Sequence, residues 1–134
     1  MEPAVERNAG PGSCGLCQRV PLCDHILVHG GGFLPYQMGR FQQGYATRRV
    51  PGAQNSRMPQ DCLRWFYYDT VLYSPAALRF LVDQVTARQV VLGSDYPFPI
   101  GDFDPVRSVR DAQLGAEATQ AILGENAQAL FRLG

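Results

Sequence analysis

The chain has 134 residues, no net formal charge and 46% hydrophobic residues, which fits one soluble domain with a sizeable core. All twelve basic residues are arginines scattered along the chain, so the composition indicates neither nucleic-acid binding nor attraction to an acidic membrane. No apolar run approaches the about 18 residues of a membrane-spanning helix, and the first twenty residues lack a secretory signal. We therefore expect a cytoplasmic protein that binds a small molecule.

The first 22 residues differ in composition from the rest of the chain. They are rich in Gly, Pro, Asn and Ser and show no periodicity, so we predict a flexible lead-in over 1–22 and one folded unit over 23–134. Cys14, Cys17 and Cys23, together with His25, could supply four zinc ligands, although their spacing is not that of the common zinc fingers. Reduced thiols without a metal are the alternative.

The most informative stretch begins just after this lead-in. Ile26–Val28 is a short, continuously apolar run, typical of a parallel strand that is buried on both faces. His29 follows at the end of this strand, and three glycines follow His29. Glycine can take positive φ and lets the backbone come close to a neighbouring group. The pattern predicts a reactive imidazole at a strand tip.

The middle of the chain predicts a helix, a loop and a second strand. The helix begins at Pro35 and ends near Gly44, because proline suits the first turn. A polar loop rich in Pro and Gly covers 46–59. The aromatic, β-prone run 63–70 predicts a strand that ends at Asp69, which we interpret as a structural residue.

The remaining elements follow the same alternation. Ser74 and Pro75 predict the start of a helix whose apolar face is formed by Leu78, Leu81, Val82 and Val85. A third strand is predicted over Gln89–Leu92, with Asp95 just beyond its end. A helix that starts after Asp104 and runs through Val109, and two more over 116–123 and 125–133 separated by Gly124, complete the prediction.

Strands that alternate with helices predict an α/β fold with a parallel sheet. In such a sheet the strands' C-terminal ends meet at one edge, so His29 and Asp95 are expected there together. A closed (β/α)₈ barrel takes about 250 residues, whereas this chain predicts only three strands. The sequence therefore predicts about three βα units, less than half of such a barrel.

Three motifs carry a resemblance to a known family. They are His-Gly-Gly-Gly-Phe-Leu-Pro-Tyr-Gln-Met-Gly-Arg (29–40), Tyr-Tyr-Asp-Thr (67–70) and Leu-Gly-Ser-Asp-Tyr-Pro-Phe (92–98). In this order and spacing the chain resembles the aminocarboxymuconate-semialdehyde decarboxylase branch of the amidohydrolase superfamily. The resemblance implies a distorted TIM barrel, of which the three strands would be the sixth, seventh and eighth.

The resemblance also implies roles for individual residues. His29 matches a histidine that acts as an acid or base beside a metal, and Asp95 matches an aspartate that binds the metal and orients its water. Arg40 matches an arginine that holds a substrate carboxylate in a neighbouring subunit's site. The family thus implies a divalent metal, with zinc expected, a small carboxylate-bearing substrate and a homo-oligomer.

The family's other metal-binding histidines match nothing in this sequence. Because catalytic zinc ordinarily takes three protein ligands, Asp95 alone cannot hold it. We therefore expect a truncated chain of a metal-dependent decarboxylase or hydrolase that by itself binds metal weakly or not at all and is inactive. Two alternatives stay open: a non-catalytic subunit that completes a barrel with another chain, and a small CxxC metal-binding module.

Overall fold

The computed structural model describes residues 25–47 and 59–133. Three strands form one parallel sheet, and β2 lies in its centre. The strands are β1 (His25–Leu27), β2 (Phe66–Asp69) and β3 (Val90–Val91). The predicted parallel α/β fold is confirmed. The predictions for 1–22, for Cys14, Cys17 and Cys23, and for the loop over 48–58 lie outside the described residues.

The register brings the three strands to one common edge. Leu27 lies opposite Tyr68, and Asp69 lies opposite Val91. We call the edge at which β1, β2 and β3 end the C-terminal rim. The residues just beyond each strand therefore meet at this rim, as parallel strands require.

The helix after β1 is longer than predicted, and a second helix was not predicted at all. Helix α1 (Leu34–Thr47) continues past Gly44, and α2 (Pro59–Leu63) ends at the first residue of the run predicted as a strand. Proline at the first position and Asp61 in the first turn favour this short helix. Strand β2 consequently begins only at Phe66.

Helix α3 (Pro75–Val85) begins where the sequence predicts it. The Ser74 hydroxyl accepts a hydrogen bond from the Ala77 amide at 3.3 Å, which caps the helix. Its predicted apolar face is confirmed, because Leu78, Leu81 and Val85 are all buried.

The C-terminal helices differ from the prediction at Gly124. Helix α4 (Pro105–Asp111) is capped by Asp104, and α5 (Ala116–Gln120) joins α6 (Asn126–Phe131) through a π-helical segment, Ala121–Glu125. The predicted break at Gly124 is wrong, because the backbone stays right-handed on both sides of this segment. A glycine ends a helix when it adopts the left-handed cap conformation, and a helix can absorb one in its interior.

The core lies between the sheet and the helices. Its fully buried side chains come from both, and the largest are Tyr68, Leu63, Leu81, Ile122, Val85, Val90 and Val109. Tyr68 donates a hydrogen bond from its hydroxyl to the Leu63 carbonyl at 2.8 Å, so its one polar atom is satisfied inside the core. No helix in the described ranges is both long and apolar enough to cross a membrane.

Candidate active site

His29 lies just beyond β1 in a tight turn. The segment His29–Gly31 forms one turn of 3₁₀ helix, and both His29 (φ 54°) and Gly30 (φ 59°) hold left-handed conformations. A Cβ added to Gly31 would lie 2.7 Å from the ring of Tyr68, so only glycine fits there. The glycines therefore allow the turn to pack against β2, with the imidazole left at the rim.

Asp95 is presented by a closed loop that follows β3. The Asp102 amide donates to the Ser94 carbonyl at 2.8 Å, and the Phe98 amide donates to the Asp95 carbonyl at 3.0 Å. Gly101 has no room for a side chain, since an added Cβ would lie 2.8 Å from the Ser94 carbonyl oxygen. Asp95 itself has φ 59°, a conformation that aspartate tolerates better than most residues.

The structure brings His29 and Asp95 together across the end of β2. His29 Nε2 lies 3.5 Å from Asp95 Oδ1. The imidazole is 57% exposed and the carboxylate side chain is 17% exposed, so one partner faces solvent while the other is largely enclosed. An imidazole beside an enclosed carboxylate can hold a proton at Nε2 and exchange it with a bound molecule.

Asp69 is the buried carboxylate of the rim. Its Oδ1 accepts hydrogen bonds from the Gly30 amide at 2.9 Å and from the Val71 amide at 3.1 Å. These bonds agree with the structural role predicted for Asp69. They also link the end of β2 to the turn that carries His29.

Arg40 and His25 do not join the pair. Arg40 is exposed on α1, and no ion pair or hydrogen bond within the described residues connects it to His29 or Asp95. His25 is the first residue of β1, where its ring lies 6.3 Å from that of Phe66. It stands at the opposite end of the strand from the rim.

Sequence reasoning missed Thr70 and Tyr73. The Thr70 hydroxyl lies 3.1 Å from the Gly93 amide and 3.3 Å from the Gly93 carbonyl. Tyr73 has φ 53°, and its hydroxyl donates to the Ile100 carbonyl in the loop that holds Asp95. A threonine at a strand end and a tyrosine before a helix cap are ordinary there, so the sequence carries no signal for either contact.

The environment of Tyr73 keeps its phenol protonated. Desolvation of the phenol raises the pKa of Tyr73 above its usual value, and the nearby carboxylates of Asp95, Asp102 and Asp69 act in the same direction. The hydroxyl therefore keeps its proton to a higher pH than that of an ordinary tyrosine.

The described residues do not complete a metal site. No group of three or more His, Cys, Asp and Glu side chains in 25–47 and 59–133 is placed to hold a metal ion. His29 and Asp95 offer suitable donor atoms, but a catalytic zinc ordinarily needs three protein ligands. Any further ligands would have to come from outside the described residues.

Comparison with known proteins gives the family. The sequence pattern of the Amidohydrolase family matches residues 15–133. The chain belongs to this family. It is similar to 2-amino-3-carboxymuconate-6-semialdehyde decarboxylase from Dictyostelium discoideum, with 33% identity over 115 residues that cover 84% of this chain and 32% of the relative. The resemblance inferred from the three motifs is thus confirmed.

Solved structures of amidohydrolase decarboxylases share its fold. The chain is similar to 5-carboxyvanillate decarboxylase from Sphingomonas paucimobilis, with a TM-score of 0.74 and 27% identity over 90% of this chain and 37% of that one. It is also similar to a dihydroxybenzoic acid decarboxylase from Polaromonas, solved with bound manganese and an inhibitor, with a TM-score of 0.74 and 25% identity over 89% and 36% of the two chains.

The amidohydrolase chain spans about a third of the length of the relatives that it matches. Its three-stranded sheet is consistent with part of their barrel. The C-terminal rim lies at the edge where TIM-barrel enzymes place their active sites.

Proposed function

We propose that this amidohydrolase chain forms the sixth to eighth βα units of a metal-dependent decarboxylase that acts on a small carboxylate-bearing substrate. The observation that carries the proposal is the 3.5 Å approach of His29 and Asp95 from two strands that are not neighbours. Family membership and the decarboxylases among its relatives support the reaction class.

In this proposal each site residue has a distinct task. Decarboxylation releases CO₂ and places a proton on the carbon that carried it, so the site needs a group that can deliver a proton. His29 Nε2 has the exposure and the neighbouring carboxylate that this task requires. Asp95 is the metal ligand, and Arg40 holds a carboxylate of the substrate in a neighbouring subunit's site through its guanidinium group.

A divalent metal would supply a Lewis acid at the rim. Zinc is the metal implied by the sequence resemblance, whereas the similar dihydroxybenzoic acid decarboxylase was solved with manganese. Because the described residues provide too few ligands, the proposal requires the remaining ligands from the first βα units of a barrel.

The test is to restore those units by fusing this chain behind the first five βα units of a similar decarboxylase and loading the fusion with Zn²⁺ or Mn²⁺. Asp95→Ala is expected to lose metal and activity together, because it removes an anionic ligand. His29→Ala should keep the metal but lose about a hundredfold or more in kcat, the usual scale for a general acid or base.

Arg40→Ala should raise KM for a carboxylate substrate more than it lowers kcat, because a guanidinium clamp acts mainly in binding. Arg110→Ala, which removes an exposed arginine at the end of α4, serves as the control for loss of charge. A metal-loaded, active fusion in which His29→Ala keeps full kcat would refute the acid–base role of His29.

A further inference from the structure

The two residues at the end of β2 bond to opposite neighbours. Asp69 Oδ1 accepts a hydrogen bond from the Gly30 amide, on the side of β1. Thr70, the next residue, bonds through its hydroxyl to both backbone groups of Gly93, on the side of β3. Consecutive side chains thus tie the central strand to the tips of both flanking strands.

Both side chains are buried, so the Asp69 bond to Gly30 is shielded from water and the Thr70 bonds to Gly93 are partly shielded. Asp69 is 8% exposed and Thr70 is 3% exposed. A buried acceptor or donor that loses its partner is left desolvated and unpaired. The two side chains therefore favour one placement of each tip over alternatives that break these bonds.

The backbone just after β3 packs closely against the end of β2. A Cβ added to Gly93 would lie 2.9 Å from Asp69 Cβ and 3.2 Å from Val71 Cγ2. Gly93 precedes Asp95 by two residues, and Gly30 directly follows His29. The Thr70 bonds therefore hold the backbone close to Asp95, and the Asp69 bond holds the backbone close to His29.

We propose that Asp69 and Thr70 are positioning residues that set the distance between His29 and Asp95 by holding the Gly30 and Gly93 backbones against the end of β2. The catalytic meaning of that distance rests on the proposed function. The distance itself can be measured without metal, substrate or turnover.

The experiment uses the whole chain, isotopically labelled for NMR. The chain has two histidines, so the ring resonances of His29 are observed beside those of His25 as an internal reference. The rim coupling is defined as the change in the His29 ring resonances that Asp95→Asn causes. Because Nε2 lies 3.5 Å from Oδ1, this change should be large for His29 and small for His25.

The rim coupling is then measured in two pairs of variants. Thr70→Val removes the hydroxyl at nearly constant shape, and Thr70→Ser retains it. Asp69→Ala removes the acceptor, and Asp69→Asn retains one oxygen. We expect Thr70→Val and Asp69→Ala to reduce the coupling by at least half, and Thr70→Ser and Asp69→Asn to preserve it.

Amide hydrogen exchange reports each bond separately. Thr70→Val should speed exchange at Gly93 and Asp69→Ala should speed it at Gly30, each by about tenfold, the scale of one net hydrogen bond. Val85→Ala, a core substitution near the opposite end of the sheet, should lower Tm without changing the rim coupling. A purely structural role would make all destabilised variants behave like Val85→Ala.

Native rim coupling in Thr70→Val and Asp69→Ala, with exchange at Gly93 and Gly30 accelerated, would overturn the proposal. Absence of any Asp95→Asn effect on His29 in the parent chain would overturn it as well. If Thr70→Val does not fold, Thr70→Ala takes its place, and the Asp69 pair decides independently. An inactive fusion enzyme with normal rim coupling would refute the proposed function and leave this inference standing.

Discussion

His29, Tyr73 and Asp95 share an uncommon backbone conformation. Their φ angles are 54°, 53° and 59°, and each residue follows a different strand at the C-terminal rim. A non-glycine residue in the left-handed region costs on the order of 1 kcal/mol or more and persists only where its surroundings enforce it. Such residues are common at functional sites, and three of the six non-glycine residues with positive φ in the described ranges lie at the rim.

Tyr73 gives a prediction about pH. Its raised pKa means that the folded state holds the phenol proton more tightly than the unfolded state. The stabilisation is present in full below the pKa of the unfolded state, about 10, and is lost as pH rises through the pKa of the folded state. We expect the unfolding free energy to fall between pH 9 and 11 less steeply in Tyr73→Phe than in the parent chain.

Urea unfolding at pH 7, 9 and 11 measures this difference. Burial also raises the pKa of Tyr68, and the nearby Cys62 adds to it, but this contribution is common to both proteins and cancels in the comparison. Equal slopes for the two proteins would show that the Tyr73 hydroxyl does not hold the Asp95 loop.

For single residues, the sequence predicted the location of a polar side chain that follows shortly after an apolar run. His29 and Asp95 were placed at the rim because each follows an apolar run predicted as a strand, and parallel strands end at one edge. The expectation that β1 is buried on both faces is wrong, because β1 is an edge strand whose three residues are only partly buried. Thr70 could not be found in this way, because its contact depends on how closely Gly93 approaches β2. That approach is a property of packing and leaves no local pattern.

At the scale of elements, the starts of capped helices were predictable and the ends of helices were not. Ser74 and Asp104 mark the starts of α3 and α4 through local bonds to the backbone. The continuous helix over 116–131 was predicted as two because Gly124 looks like a stop. The burial of Ile122 and the bonds from Asn126 Nδ2 to the Ala87 and Val90 carbonyls, at 2.8 and 2.7 Å, hold its two halves on the sheet.

Gly93 gives a prediction about the packing of β2 against β3. Gly93→Ala would place a methyl group 2.9 Å from Asp69 Cβ, so the two strand ends must separate. We expect a loss of about 1–3 kcal/mol in the unfolding free energy, the usual cost of overpacking. Denaturation in urea measures it.

Gly39→Ala is the matched control, because Gly39 lies in α1 with open space around its added Cβ. It should stabilise the chain by up to about 1 kcal/mol, since alanine is the better helix former. A Gly93→Ala chain as stable as its parent would show that the strand ends are not closely packed.

At the scale of the whole molecule, the described residues include unpaired strand edges and exposed apolar side chains. β1 and β3 each pair on one side only, and the loop after β3 carries Tyr96, Phe98, Ile100 and Phe103 with 59% to 84% of their surface exposed. Unpaired strand edges and clustered apolar side chains favour association with another chain. We therefore predict that the chain associates with itself as its concentration rises.

Light scattering over a range of concentrations tests this association. Phe103→Glu should weaken it by placing a charge in the exposed apolar loop, whereas Ala116→Glu, which adds the same charge at the exposed start of α5, should not. A stable monomer at high concentration would contradict this prediction.

The pairing of the strands also bears on the order in which the site forms. Tyr68 pairs with Val90, only 22 positions later, whereas His25 pairs with Phe66, 41 positions later. Shorter loops close at a smaller entropic cost, and the locally stabilised α3 lies within the shorter one. Loop closure therefore favours the pairing of β2 with β3 before the docking of β1, so that His29 reaches Asp95 only after the β2–β3 pair has formed.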